Sequence, residues 1–272
     1  MNDQAALIHE RNWDTLVILD ACRYDYFEML HSRYLNGTLR KVESPVDPRT
    51  GYATSDWCNK VFTGSYDDTT YISATPRVNS RVAVDGFHGG DHFNTVVDLW
   101  DHGWDEDRGT VLPEVVNDAT LQKRDHTDRM IVHYIQPHFP YLGLDRPQTV
   151  KENRPERRNT LVYQIRTTVG AKVRYHLGDE RTRKLLQILG IEPINHMDEI
   201  IRKHGSKALK EAYEENLIRA LEAVSALVEQ LSGSIIVTSD HGELLGENGY
   251  YGHSYVPRHE QITMVPWFEV AK

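Results

Sequence analysis

The sequence predicts an α/β protein: a doubly wound, mostly parallel sheet flanked by helices, with a helical insertion. Three observations predict it. Two short runs, Thr15–Leu19 (TLVIL) and Ile235–Val237, are apolar without alternation, the mark of strands buried on both faces. Each run stops at an acid, Asp20 or Asp240, and the first leads into a helix-like stretch, the opening unit of a doubly wound fold. The charge also shifts. Between Leu144 and Lys210 there are fifteen basic and eight acidic residues, a balance of +7, while the rest of the chain carries −16, so the net −9 hides a middle of different character.

Taken in order, Thr15–Leu19 is the first strand, and Ala21–His31 reads as a helix with Tyr24, Phe27, Met29 and Leu30 supplying apolar surface. The stretch Ser44–Gly64 is turn-rich through Gly51. It becomes helical from Thr54, with Trp57, Cys58, Val61 and Phe62 at helical spacing, Thr54 or Ser55 as N-cap and Gly64 as stop. Thr69–Ser73 alternates like a strand. The ligand-rich Asp85–His92 is glycine-rich and reads as an exposed loop, and Trp100 and Trp104 read as packing residues. Arg129–Ile135 is a strand leading to Gln136-Pro137-His138, and His133 within it is either a core histidine or a site residue. Arg157–Leu189 reads as helical, with breaks at Gly170 and Gly178. Ser206–Leu231 is a long amphipathic helix carrying Leu209, Tyr213, Leu217 and Leu221. Gln261–Val270 closes the chain as strand or extended edge, with Pro266 arguing against an interior strand. Residues 1–272 are thus expected to form one domain, with residues 142–212 as a basic helical insertion.

Composition narrows the function classes. A hydrophobic fraction of 39%, with five Trp and fourteen Tyr, supports a sizeable core. No run approaches the roughly 20 apolar residues of a membrane span. The N-terminus lacks the basic-then-apolar pattern of a secretory signal. Cys22 and Cys58 are too few for a disulfide framework, so a reduced, cytoplasmic setting is expected. No nucleic-acid motif accompanies the basic middle, which is either a solvated surface or an attractor for an anionic substrate.

The chemistry gathers at strand ends, where open parallel sheets bind ligands. Asp20, Asp240 and His241 offer two carboxylates and an imidazole, a donor set for one divalent cation, and Gly242 allows a tight turn beside them. His138 is a third strand-end candidate. A hydroxyl at the start of the Thr54 helix stands where a phosphoryl or sulfuryl group finds free N–H donors.

Four ordered blocks resemble the sulfatase-like members of the alkaline phosphatase superfamily. They are D-A-C-R-Y-D (Asp20–Asp25), F-T-G (Phe62–Gly64), P-H-F-P-Y (Pro137–Tyr141), and S-D-H-G-E-L-L-G-E with Gly252-His253 and Val265-Pro266. In that family's C-x-P-x-R motif the nucleophile precedes the T of T-G by nine positions, which selects Thr54. Asp56 and Cys58 replace the motif's Pro and Arg, so formylglycine formation is not expected. A-T-S-D is similar instead to the segment around the threonine of lipoteichoic-acid synthases, and phosphoethanolamine transferases also use a Thr.

The resemblance implies a metal-dependent hydrolase or transferase acting on a phosphate or sulfate ester. Asp20, Thr54, Asp240 and His241 would hold a divalent cation (Zn, Mn, Ca or Mg). His138 and His253 would bind the transferred group, serve the leaving group or complete a second metal site, and Arg23 is a weaker candidate. The expected substrate is a small anionic ester or a carrier-linked head group. A sulfatase is the nearest alternative, and a catalytically silent binding protein on the same scaffold is the third reading.

Overall fold

The structure, a computed structural model, describes residues 3–51, 53–145, 175–188 and 196–271. In chain order its elements are α1 (Gln4–Glu10), β1 (Thr15–Leu19), α2 (Tyr24–Leu30), β2 (Gly37–Glu43), α3 (Ala53–Val61), β3 (Tyr66–Ser73), β4 (Phe93–Asp98), α4 (Leu99–His102), β5 (Trp104–Asp105), β6 (Thr110–Val111) and α5 (Pro113–Lys123). There follow β7 (Arg129–Tyr134), α6 (Asp179–Ile188), α7 (His196–Val228), β8 (Ile235–Thr238), β9 (Leu244–Leu245), β10 (Tyr251–Gly252), α8 (Glu260–Thr263) and β11 (Met264–Val270).

Seven strands form one sheet in the order β2-β11-β8-β1-β7-β3-β4. The sheet is parallel except for β11, which runs antiparallel to both β2 and β8. Its strands are apolar on both faces because both faces are covered. Leu16 and Ile18 of β1 pack toward α1 and α3 with Ile8, Trp57 and Val61. Val17 and Leu19 pack the other way, toward α2, α5 and α7, with Phe27, Val116, Leu217 and Leu221. Each such side chain contributes about 1.5–3 kcal/mol of burial free energy, which is what fixes the register. β1 lies between β8 and β7 with Val17 opposite both Val237 and Val132, so the carboxyl ends of three central strands align.

Two departures from the sequence reading have physical causes. The helix expected from Ala21 starts at Tyr24, because Ala21 is left-handed (φ 59°) and its amide donates to Asp240 Oδ1 at 3.1 Å. α7 is two helical stretches joined at a non-helical Gly205 (φ 84°), and the second begins at Ser206 as expected. Pro266 lies in an interior strand after all. Its carbonyl accepts from the Thr238 hydroxyl at 2.6 Å, so its N–H side also faces the end of β8, and the β8 register stops at Trp267 opposite Thr238. The missing donor therefore has no ladder partner to lose.

Of the segment expected to be a helical insertion, 146–174 and 189–195 lie outside the described residues. The described parts carry α6 and the first turns of α7. No helix among the described residues is long and apolar enough to cross a membrane.

Candidate active site

The aligned strand ends bring Asp20, Asp240 and His241 together, with one ligand atom from each lying within 4.8 Å of the others. Backbone amides fix one side of the cluster. Asp240 Oδ1 accepts from the amides of Ala21 and His241, at 3.1 and 2.9 Å. His241 Nδ1 lies 2.9 Å from the Gly242 carbonyl, which sets Nδ1 as the protonated nitrogen and leaves the Nε2 lone pair free. That Nε2, Asp20 Oδ1 and Asp240 Oδ2 are all buried without a hydrogen-bond partner. Nε2 stands 3.6 Å from Asp20 Oδ1 and 3.4 Å from Asp240 Oδ2. These separations are too long for good hydrogen bonds. They suit two ligands of one tetrahedral ion at about 2.1 Å each, whose mutual distance is about 3.4 Å. Three unpartnered lone pairs converging in a buried site fit a divalent cation.

Burial, and then Asp240, raise Asp20 well above the usual carboxylate range. Burial also pushes Asp240 up, but His241, His133, the Ala21 amide and the Thr54 hydroxyl more than offset it and hold Asp240 below that range. Ser239 laces the two turns together, its hydroxyl accepting from the Cys22 amide at 2.8 Å and donating to the Leu19 carbonyl at 2.6 Å.

A second triad, His138, Glu243 and His253, adjoins the first. The rings of His253 and His241 are 4.3 Å apart, and those of His253 and His138 are 5.2 Å apart. His253 arrives on the β9–β10 hairpin, whose connecting turn uses Gly246, Asn248 and Gly249 at positive φ. Its Nδ1 pairs with Glu243 Oε1 at 2.9 Å, while Glu243 Oε2 is buried without a partner. His138 Nδ1 lies 2.6 Å from the Phe139 carbonyl, leaving Nε2 for a ligand. Burial raises Glu243 to about 7 and lowers His253 to about 3, so the imidazole is neutral and fit to bind a metal.

Thr54 stands in the first turn of α3 rather than at its N-cap, since the helix begins at Ala53. Its hydroxyl is near enough to Asp240 to help hold that carboxyl below its usual range. It opens into a cavity of about 230 Å³ that Asp20, His138 and His253 also line. The other hydroxyl and thiol do not reach it. Ser55 and Cys58 are fully buried, and burial raises the Cys58 thiol well above its ordinary pKa.

Two further lining residues, Arg77 and Trp104, escaped the sequence reading. Trp104 was expected to be a packing residue but forms part of the cavity wall. Arg77 follows β3 and pairs with Asp85. Glu243 was also missed as a ligand: it stands in the D-H-G-E run, but no local pattern separates it from a surface acid. Arg23 is not at the cavity: it is clamped between Asp25 and Glu247, each at 2.7 Å. His133 is a core histidine, its Nδ1 2.7 Å from the Tyr71 hydroxyl. In the Asp85–His92 loop, His88 pairs with Asp91 and joins neither triad.

No protein-family profile matches the sequence, and no curated protein matches it. Solved structures do. Phosphonate monoester hydrolase from Silicibacter pomeroyi superposes with a TM-score of 0.50 at 14% identity, over 96% of this chain and 68% of the hydrolase. This chain and the hydrolase share a fold. Two further solved structures are similar. One is the C-terminal periplasmic domain of EptC from Escherichia coli in complex with Zn, at 13% identity and TM-score 0.48, over 98% of this chain and 75% of that one. The other is a protein in complex with its substrate D-glucosamine-2-N,6-O-disulfate, at 11% identity and TM-score 0.48, over 96% and 71%. At these identities the likeness is one of fold alone.

Proposed function

We propose that this chain is a metal-dependent hydrolase or transferase of phosphate or sulfate esters, with phosphoryl transfer favoured and Thr54 as nucleophile. The observation that carries the reading is the convergence of three unpartnered buried lone pairs, from Asp20, Asp240 and His241, beside a cavity-facing hydroxyl. Asp20, Asp240 and His241 would hold one cation and His138, Glu243 and His253 a second; the nitrogen donors favour zinc or manganese over a pure magnesium or calcium site. Bound there, the ions would supply charge neutralisation for the transferred group and a lowered pKa for the adjacent hydroxyl.

The chain's own residues do the rest. Thr54 Oγ1 attacks the phosphorus or sulfur in line, the ester oxygen leaves, and the group passes to Thr54 as a covalent ester. Water or an acceptor hydroxyl then takes it from Thr54. Arg77 lines the cavity, and the N–H donors not taken by its pairing with Asp85 would suit the non-bridging oxygens. Trp104, Ile135 and Phe139 give the wall an apolar side for the rest of the substrate and limit water. The cavity's volume suits a small anionic ester or the head group of a carrier-linked one.

The sulfatase reading is weaker, because the thiol nearest that family's nucleophile position, Cys58, is buried in the core. The test is a panel of phosphate monoesters, phosphate diesters and sulfate esters, run with zinc, manganese, magnesium and calcium in turn. Turnover of a phosphate ester that is abolished by Thr54→Ala is the expected result. A chain that binds zinc yet turns over none of them supports the silent binding protein instead.

A further inference from the structure

The turns that carry Asp20 and His138 are irregular backbone, and one helix face holds both. α7 presents Tyr213 and Asn216 on the same side, three positions apart and fully buried. The Tyr213 hydroxyl donates to the Ala21 carbonyl at 2.8 Å and accepts from the Arg23 amide at 2.9 Å. It thereby closes the left-handed turn immediately after Asp20. Asn216 Oδ1 accepts from the Leu142 amide at 2.8 Å, and its Nδ2 faces the carbonyls of Pro137, His138 and Pro140 at 3.4, 3.2 and 2.9 Å. Only one orientation of the amide fits, since the flipped one would set oxygen against three carbonyls.

Without these two side chains the Ala21 and Pro140 carbonyls and the Arg23 and Leu142 amides would lose these buried partners. The turns would keep their bonds to Ser239 and Asp240 and the His138 amide's bond to the Asp20 carbonyl, and would loosen rather than come apart. The other ligands have separate supports. The Asp240 turn is held by Ser239, by Gln4 bonded to the Ser239 carbonyl, and by the Ser44 hydroxyl on the Asp240 carbonyl. His253 is held by its hairpin and by Glu243. Loss of either helix contact should therefore loosen one ligand of one triad.

We propose that Tyr213 and Asn216 are positioning residues with separate duties: Tyr213 sets Asp20 for the first triad, and Asn216 sets His138 for the second. The assignment rests on the reading of both triads as cation sites. One helix thereby governs the occupancy of both, and it is the same helix that continues from the basic segment of the chain.

The test uses the full chain with zinc as probe, titrated calorimetrically and checked by metal analysis. Glu243→Gln leaves the first triad as the tight site, and Asp240→Asn leaves the second. In the Glu243→Gln background, Tyr213→Phe should weaken zinc binding about 10–100-fold, the range found when a ligand's supporting hydrogen bond is removed, while Asn216→Ala changes it less than about threefold. In the Asp240→Asn background the two effects should exchange. Thermal unfolding of the zinc-free variants is followed in parallel. Equal losses at both sites that track the melting temperature would show a merely structural role and overturn the assignment, as would no loss in either background. Should Asn216→Ala fail to fold, Asn216→Ser keeps one donor and should still weaken only the second site; equal weakening of both overturns the proposal. An unmodified chain that takes up no zinc refutes the cation sites and this assignment with them.

Discussion

A methyl group added at Gly242 would sit 2.0 Å from the Gln261 carbonyl oxygen and 3.0 Å from its carbon, where ordinary contact begins at 3.4 Å. One backbone or the other must then move by about 1.4 Å to reach ordinary contact. Neither yields freely, because the Gly242 amide donates to the Ile262 carbonyl at 2.8 Å and Ile262 packs against Leu244 and Val46. Overpacking of this kind costs about 1–3 kcal/mol. At about 2–4 °C per kcal/mol for a chain of this size, Gly242→Ala should melt about 2–12 °C lower. The larger effect falls on the cations. Asp240 and His241 precede this residue and Glu243 follows it, and coordination tolerates only about 0.2 Å of displacement. Zinc affinity should fall at both triads together, by about a hundredfold or more. Calorimetry and metal analysis of the purified variant read this directly. A Gly242→Ala protein with full zinc content and a melting temperature within about 1 °C of the parent would refute the argument from close approach. Gly242 is not at positive φ, so strain in its own backbone offers no substitute explanation.

Other outcomes follow from the same geometry. Thr54→Ala should abolish turnover while keeping zinc content and melting temperature near those of the parent; Ser55→Ala and Cys58→Ala should keep most activity, and a dead Cys58→Ala would revive the sulfatase reading. Arg77→Gln should raise KM for a phosphate monoester at least about tenfold and for a diester, with one charge fewer, by less; equal effects on both would remove Arg77 from the oxygens. Burial lowers His133 to about 4, whereas the unfolded chain protonates it near 6.5, so its contribution to stability is present above pH 6.5 and is lost as pH falls toward 4. By pH 5 this amounts to about 2 kcal/mol, and zinc-free parent should lose more melting temperature between pH 7.5 and 5 than His133→Phe does; parallel slopes would contradict it. Chelation should end turnover and zinc should restore it, measured on the best ester found.

The strand-acid pattern made Asp20 and Asp240 readable, because β-branched runs buried on both faces leave little doubt about where a strand ends. His138 was readable for the same reason. Glu243 was not: it lies beyond the strand in irregular chain, and only the return of the β9–β10 hairpin, with its own Gly and Asn turn, shows what it meets. Arg77 and Trp104 carry no local pattern that separates a cavity wall from a surface, since their place depends on how the loop after β3 and the short strand β5 come over the strand ends. Pro266 misled for a different reason. The rule against interior proline concerns a donor that the ladder needs, and here the neighbouring strand has already ended. The glycine in D-H-G was noticed but misattributed: it is required by the backbone of α8 coming close, a contact between parts of the chain that sequence spacing cannot reveal.

The Ala21 amide and the Asp240 carboxylate meet across 219 residues. During synthesis, then, the chain carries one half of its first triad through almost its whole length before the other half exists. On the proposed reading, a cation could not nucleate folding from a local loop, as it does where ligands lie a few residues apart, and would wait for β8 to dock beside β1. Metal uptake would then be a late report of completion. A chain that stalls before Asp240 would be neither loaded nor active, and the Thr54 hydroxyl would stay silent until the sheet around it is whole.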